Sequence, residues 1–81
     1  MRSIPRYTLT YHDAKGRWVL EEDGTGEICD EFDTKDEAIG DGGLARAIGS
    51  EGGSVKIKDR GGRFEEERTY PRTADPGRRV G

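Results

Sequence analysis

Thr34-Lys35-Asp36-Glu37-Ala38-Ile39-Gly40-Asp41-Gly42-Gly43-Leu44-Ala45-Arg46-Ala47-Ile48 is the stretch on which the fold turns. Its first four residues form a capping box. The Thr34 hydroxyl can accept from the Glu37 N–H while the Glu37 carboxylate reaches back to the Thr34 N–H. Asp36 and Glu37 also place negative charge in the first helical turn, where the helix dipole favours it. A helix therefore starts here. At 100° per residue, Ala38, Gly42, Ala45 and Gly49 fall on one narrow stripe, flanked by Ile39 on one side and by Leu44 and Ile48 on the other. Small residues there let the helix lie close on a sheet. Gly40, Gly42 and Gly43 each cost about 1 kcal/mol of helix propensity relative to Ala, so the sequence is compatible with one helix or with one broken at its middle. Gly52-Gly53 stops it.

Upstream, Tyr7-Thr8-Leu9-Thr10-Tyr11-His12 alternates apolar and polar residues, the pattern of a half-buried strand with Tyr7, Leu9 and Tyr11 on one face. Asp13-Ala14-Lys15-Gly16 turns the chain, and Arg17-Trp18-Val19-Leu20-Glu21-Glu22 returns with Trp18 and Leu20 inward, closing a hairpin. After the turn Asp23-Gly24-Thr25-Gly26, Glu27 to Phe32 reads either as a short third strand or as an extended crossing segment, anchored by Ile28 and Phe32.

Downstream, Ser54-Val55-Lys56-Ile57-Lys58 and Arg63-Phe64-Glu65-Glu66-Glu67-Arg68 predict a second hairpin around Asp59-Arg60-Gly61-Gly62. A loop of two or four residues sets Ile57 opposite Phe64 and Lys56 opposite Glu65, pairs worth about 0.2–1 kcal/mol each. The expected architecture is α+β: β-β-α-β-β, an antiparallel sheet with one helix packed on one face. Residues 1–70 form one domain, and 71–81, polar and punctuated by Pro71 and Pro76, form a flexible C-terminal tail. The expected core is Leu9, Tyr11, Trp18, Leu20, Ile28, Phe32, Ala38, Ile39, Ala45, Ile48, Val55, Ile57 and Phe64. The opposite sheet face is expected to be polar, with Thr8, Thr10, Val19, Glu21, Lys56, Lys58, Arg63, Glu65 and Glu67.

Four pieces in this order carry a resemblance: Trp18-Val19 after a hairpin, Phe32-Asp33-Thr34-Lys35-Asp36-Glu37-Ala38-Ile39, Gly52-Gly53-Ser54-Val55-Lys56-Ile57, and Gly61-Gly62-Arg63-Phe64-Glu65-Glu66-Glu67-Arg68-Thr69-Tyr70. Together they resemble the bacterial domain-of-unknown-function family 2188, over roughly Tyr7 to Tyr70. The Gly40-Asp41-Gly42-Gly43 stretch departs from the Ala-rich helix of that family. The resemblance implies a small prokaryotic protein and brings no catalytic or binding residues with it.

Composition narrows the chemistry. With 81 residues, 30% hydrophobic and 38% charged, the chain makes one domain with a thin core. Cys29 is the only cysteine, which excludes an internal disulfide and fits a reducing, cytoplasmic setting. Met1-Arg2-Ser3-Ile4-Pro5-Arg6 has no apolar run behind its charge and is not read as a signal peptide. No segment approaches the ~18 apolar residues of a membrane span.

No motif fixes a reaction. His12 next to Asp13 could orient a general base, but no nucleophile lies nearby, and an exposed turn residue is the simpler reading. Cys29, flanked by Ile28 and Asp30, reads as a small buried hydrophobe whose acidic neighbours raise its pKa. One Cys and one His cannot make a zinc site. The acidic run Glu27, Asp30, Glu31, Asp33, Asp36 and Glu37 lacks calcium-loop spacing, and no phosphate-binding glycine loop is present. The expectation is no enzyme, no cofactor, no metal and no small-molecule substrate.

Charge separates along the chain. Residues 1–51 carry six basic and twelve acidic side chains, net −6, and residues 52–81 carry eight basic and five acidic, net +3. Two solvated faces explain this plainly; two candidate surfaces follow if the asymmetry is used. Lys56, Lys58, Arg60, Arg63 and Arg68 could contact a protein partner or, with the basic tail, nucleic acid. Glu27, Asp30 and Glu31 could serve an acidic partner surface, as in a small inhibitor of phage or mobile-element origin that mimics a nucleic-acid backbone. The leading expectation is a non-enzymatic protein-interaction module, a homodimer included.

Overall fold

A computed structural model describes residues 4–70, so the expected tail lies outside the described residues. The elements run β1 (Arg6–His12), β2 (Arg17–Glu22), β3 (Ile28–Phe32), α1 (Lys35–Ile39), α2 (Gly43–Ile48), a single 3₁₀ turn (Gly49–Glu51), β4 (Gly53–Lys58) and β5 (Phe64–Tyr70). They build one five-stranded sheet in the order β3-β2-β1-β4-β5.

The sheet is mixed, which corrects the antiparallel expectation. β1 and β4 are parallel, with Tyr7 beside Val55 and Leu9 beside Ile57; the other neighbours are antiparallel. The cause is β3. Glu27–Phe32 contributes a full strand on the outer edge of β2, with Phe32 opposite Trp18. The chain leaves β3 at the end of the sheet where Tyr11 faces Trp18, and re-enters in β4 where Ser54 faces Arg6. The helices carry it back along the sheet, so β4 must run with β1. A mere crossing segment in place of β3 would have reversed that parity.

The helical segment is in two pieces. Thr34 caps α1 by accepting from the Glu37 N–H at 3.1 Å. The Glu37 carboxylate accepts from Asp33 N–H at 2.9 Å, one residue upstream of the position the capping box predicts. Gly42, at φ 79°, then sets a left-handed joint before α2, a conformation that costs glycine little and other residues more. The break resets the helical phase. Leu44 and Ile48, four apart on α2, are buried in the core, whereas the expected core residue Ala45 is exposed.

The core is Leu9, Trp18, Leu20, Phe32, Ala38, Leu44, Ile48, Val55 and Ile57, with Tyr7, Tyr11, Ile39, Ala47 and Tyr70 packed around it. Two further expectations fail here. Ile28, at the start of the β3 edge, is 43% exposed, and Phe64 is 62% exposed. The β4–β5 register shifts between Ile57 and Lys58, setting Glu66 opposite Ile57, Glu67 opposite Lys56 and Phe64 opposite Lys58. That bulge moves Phe64 to the lysine side of the sheet and replaces the expected Ile57–Phe64 pair.

The face turned away from the helices is polar, as expected, apart from Ile28 and Phe64, which the bulges turn toward it, and Val19. This side chain is fully buried between its register neighbours Thr10 and Glu31. Glu31 is held there by Lys15 at 2.7 Å and lies 3.8 Å from Arg17. Long side chains thus cover an apolar residue on a sheet face that no second layer of the described residues covers.

Candidate functional site

The two sheet edges differ in how they treat their backbone. β3 has five residues and a register shift against β2 between Leu20 and Glu21. Its Glu31 N–H donates to the Asp30 carboxylate at 2.8 Å. Short length, a bulge and an occupied N–H are ways a sheet blunts an edge against pairing. β5 is longer, with seven residues, six of them exposed. Among the described residues, no side chain accepts a hydrogen bond from a β5 N–H, and Tyr70 alone of the strand packs against the core, while Lys35 of α1 reaches Glu65.

The β5 side chains form a charged strip. Glu66 and Arg68 share one face and pair at 3.1 Å. Glu65, the extra residue at the bulge, pairs with Lys35 of α1, whose ammonium also lies 5.6 Å from the Trp18 ring centroid. On the opposite face Glu67 accepts from the Ser54 hydroxyl and sits across from Lys56. Phe64 ends the strip as an exposed ring.

The five basic candidates do not form one surface. Lys56 and Lys58 project from the open face of β4, and Lys56 reaches the Asp23 carboxylate at 3.3 Å. Arg60, in the hairpin loop, stacks 4.2 Å from the Tyr11 ring centroid on the core side. Arg63 follows the turn, where its N–H donates to the Asp59 carboxylate at 2.9 Å. Arg68 lies on β5 beside Glu66. The acidic candidates also divide: Glu27 is in the turn before β3, Asp30 sits opposite Leu20, and Glu31 turns to the other face toward Lys15 and Arg17.

The carboxylates that titrate abnormally are structural. A hydrogen bond from Thr8, helped by Lys56, holds Asp23 below the usual carboxylate range. A hydrogen bond from Lys15 lowers Glu31, and backbone N–H groups of Arg63 and Gly61 lower Asp59 at the hairpin turn. Cys29 is exposed, not the buried hydrophobe expected; local desolvation, then Glu22, Glu27 and Asp30, raises its thiol pKa, which disfavours the reactive thiolate. His12 pairs with Glu21 at 3.2 Å, not with Asp13. Among the described residues, no cluster of three or more His, Cys, Asp or Glu is arranged to hold a metal, and no helix is long and apolar enough to cross a membrane. A depression lined by Ile4, Pro5, Arg6, Glu22, Asp23 and Gly24 opens widely to solvent, and its Asp23 carboxylate is already engaged by Thr8 and Lys56.

The sequence reading missed the β5 edge, although its signal was present. Glu65-Glu66-Glu67-Arg68 places charge on successive positions, hence on both faces of a strand, and a strand charged on both faces has neither of them covered.

Fold and site together define a small α+β protein of one mixed sheet and two short helices among the described residues, with β5 as an exposed outer strand. Residues 7–70 match the family described as an uncharacterized protein conserved in bacteria (DUF2188), and the chain belongs to that family. No curated protein and no solved structure matches it.

Proposed function

We propose that this chain is a non-enzymatic protein-interaction module that receives an extended partner segment along the outer edge of β5. The observation that carries this reading is the contrast between the edges: both carry a bulge, but β3 has five residues and occupies its own Glu31 N–H, whereas β5 runs for seven residues, six of them exposed. An edge strand is a ready template for strand addition, with backbone hydrogen bonds giving affinity and side chains giving selectivity.

The test is affinity capture from the native host with the wild-type chain and a Phe64→Lys, Glu66→Lys double variant, with nuclease and high-salt arms. Both positions are exposed, so the fold tolerates the change. A protein retained by the wild type and lost by the variant, unaffected by nuclease, is the expected result. Capture that disappears with nuclease would favour the nucleic-acid reading built on Lys56, Lys58 and the other basic side chains. Capture indifferent to the β5 changes but lost on charge reversal of Glu27, Asp30 and Glu31 would favour the acidic-inhibitor reading.

A further inference from the structure

We infer that the segment paired with β5 is β5 of a second copy, in antiparallel register about a two-fold axis through Glu67; this rests on the strand-addition reading above. The register follows from geometry and charge. In an antiparallel seam, opposed residues must lie on the same face, and outward backbone groups must meet outward groups. For a strand paired with its own copy, both conditions require the axis to pass through a residue, so the central candidates are Glu66, Glu67 and Arg68.

An axis through Glu66 sets that carboxylate against its own copy, and one through Arg68 sets two guanidiniums together. Like charges directly opposed are unfavourable. An axis through Glu67 instead sets Glu66 against Arg68 of the second copy, and does so twice. It also centres the strand on itself, because Phe64 and Tyr70, the ends of β5, are equidistant from Glu67. The remaining like pair is Glu67 with its copy. That carboxylate is drawn inward, accepting from Ser54 and facing Lys56 on β4, away from the seam.

The bulge that displaces Phe64 fits the same arrangement. The ring, 62% exposed in the single chain, lies on the face of Lys58 and comes beside Thr69 of the second copy, which shares that face, whereas Tyr70 is turned to the helix side. The product is one continuous ten-stranded sheet, twice the observed five, with the β3 edges outermost and blunted. A seam of one strand per copy is small, and its affinity belongs at the weak end of specific contacts.

Sedimentation velocity on the full chain, from about 10 µM to about 1 mM, spans the range in which so small an interface should associate, and doubling of the mass is expected. Glu66→Arg and Arg68→Glu alone should each weaken association roughly tenfold by creating like pairs, and the double exchange should restore it. For the register, Glu67→Cys in a Cys29→Ser background should form a disulfide-linked dimer under mild oxidation. Opposed Cα atoms in an antiparallel pair are about 4.5–5.5 Å apart, within disulfide reach. Glu66→Cys and Arg68→Cys should link only when mixed. A chain that stays monomeric near 1 mM, or dimers that link through Glu66→Cys alone, would overturn the proposal. A monomer whose β5 still determines capture of a host protein refutes self-pairing and leaves strand addition standing, whereas loss of both removes both.

Discussion

A Cβ atom added to Gly43 would lie 2.6 Å from Cε1 of Phe32 and 2.7 Å from the Glu37 carbonyl oxygen. The first residue of α2 is therefore in direct contact with the last residue of β3, and that contact fixes how closely the helical layer approaches the sheet.

Gly43→Ala should destabilise the protein by about 1–3 kcal/mol, the usual cost of forcing atoms into a packed interior. Gly24→Ala, with nothing within 4 Å of the added atom, serves as the control and should change stability little. Urea midpoints of the two variants measure the contrast; equal midpoints would refute the close approach.

Leu44 is fully buried and is the main apolar side chain that α2 places in the core. Leu44→Ala removes its packing and leaves a cavity, so a loss of about 2–5 kcal/mol is expected. For a thin core this is enough to shift chemical or thermal unfolding into the working range, and calorimetry would detect it. The neighbouring Ala45→Ser, at an exposed position, should be nearly silent.

Thr34→Ala removes the acceptor for the Glu37 N–H at the start of α1 and should cost about 0.5–2 kcal/mol. Thr34→Ser keeps the acceptor and should recover most of the loss. Failure of serine to rescue would show that the threonine methyl, not the cap, matters.

Asp23 links β2 to β1 and β4 through Thr8 and Lys56. Its folded pKa is lowered, first by the Thr8 hydrogen bond, so its contribution is fully present above the unfolded carboxylate range near pH 4. It is lost as the pH falls through the lower folded value. Asp23→Asn should therefore be less stable than the wild type at pH 7, by about 0.5–1 kcal/mol for so exposed a pair, and the gap should close on acidification. A gap that widens below pH 4 would contradict the assignment.

Much of this structure was legible in the residues themselves. The alternation in Tyr7–His12 and Arg17–Glu22 gave a hairpin whose observed register sets Leu9 against Leu20 and Tyr11 against Trp18. The Thr34–Glu37 box marked a helix start that the structure places at Lys35, with Thr34 as cap. The second hairpin was legible as a pair of strands but not in register, because a bulge inserts one residue without leaving a mark in the apolar pattern. The exposed edge is written in Glu65–Arg68, but the apolar alternation that places Phe64 in the core hides it.

What the sequence determined alone is local: which segments are strands, where the helix begins, and that the second hairpin is heavily charged. Those features arise from spacing along the chain and from hydrogen bonds between near neighbours. Only the tertiary structure decided that Glu27–Phe32 claims the free edge of β2, that β4 therefore runs parallel to β1, and that β5 is left on the outside. These are outcomes of competition between distant segments for the same edges and the same interior, and that competition is settled by the packing of the whole sheet against Ala38, Leu44 and Ile48.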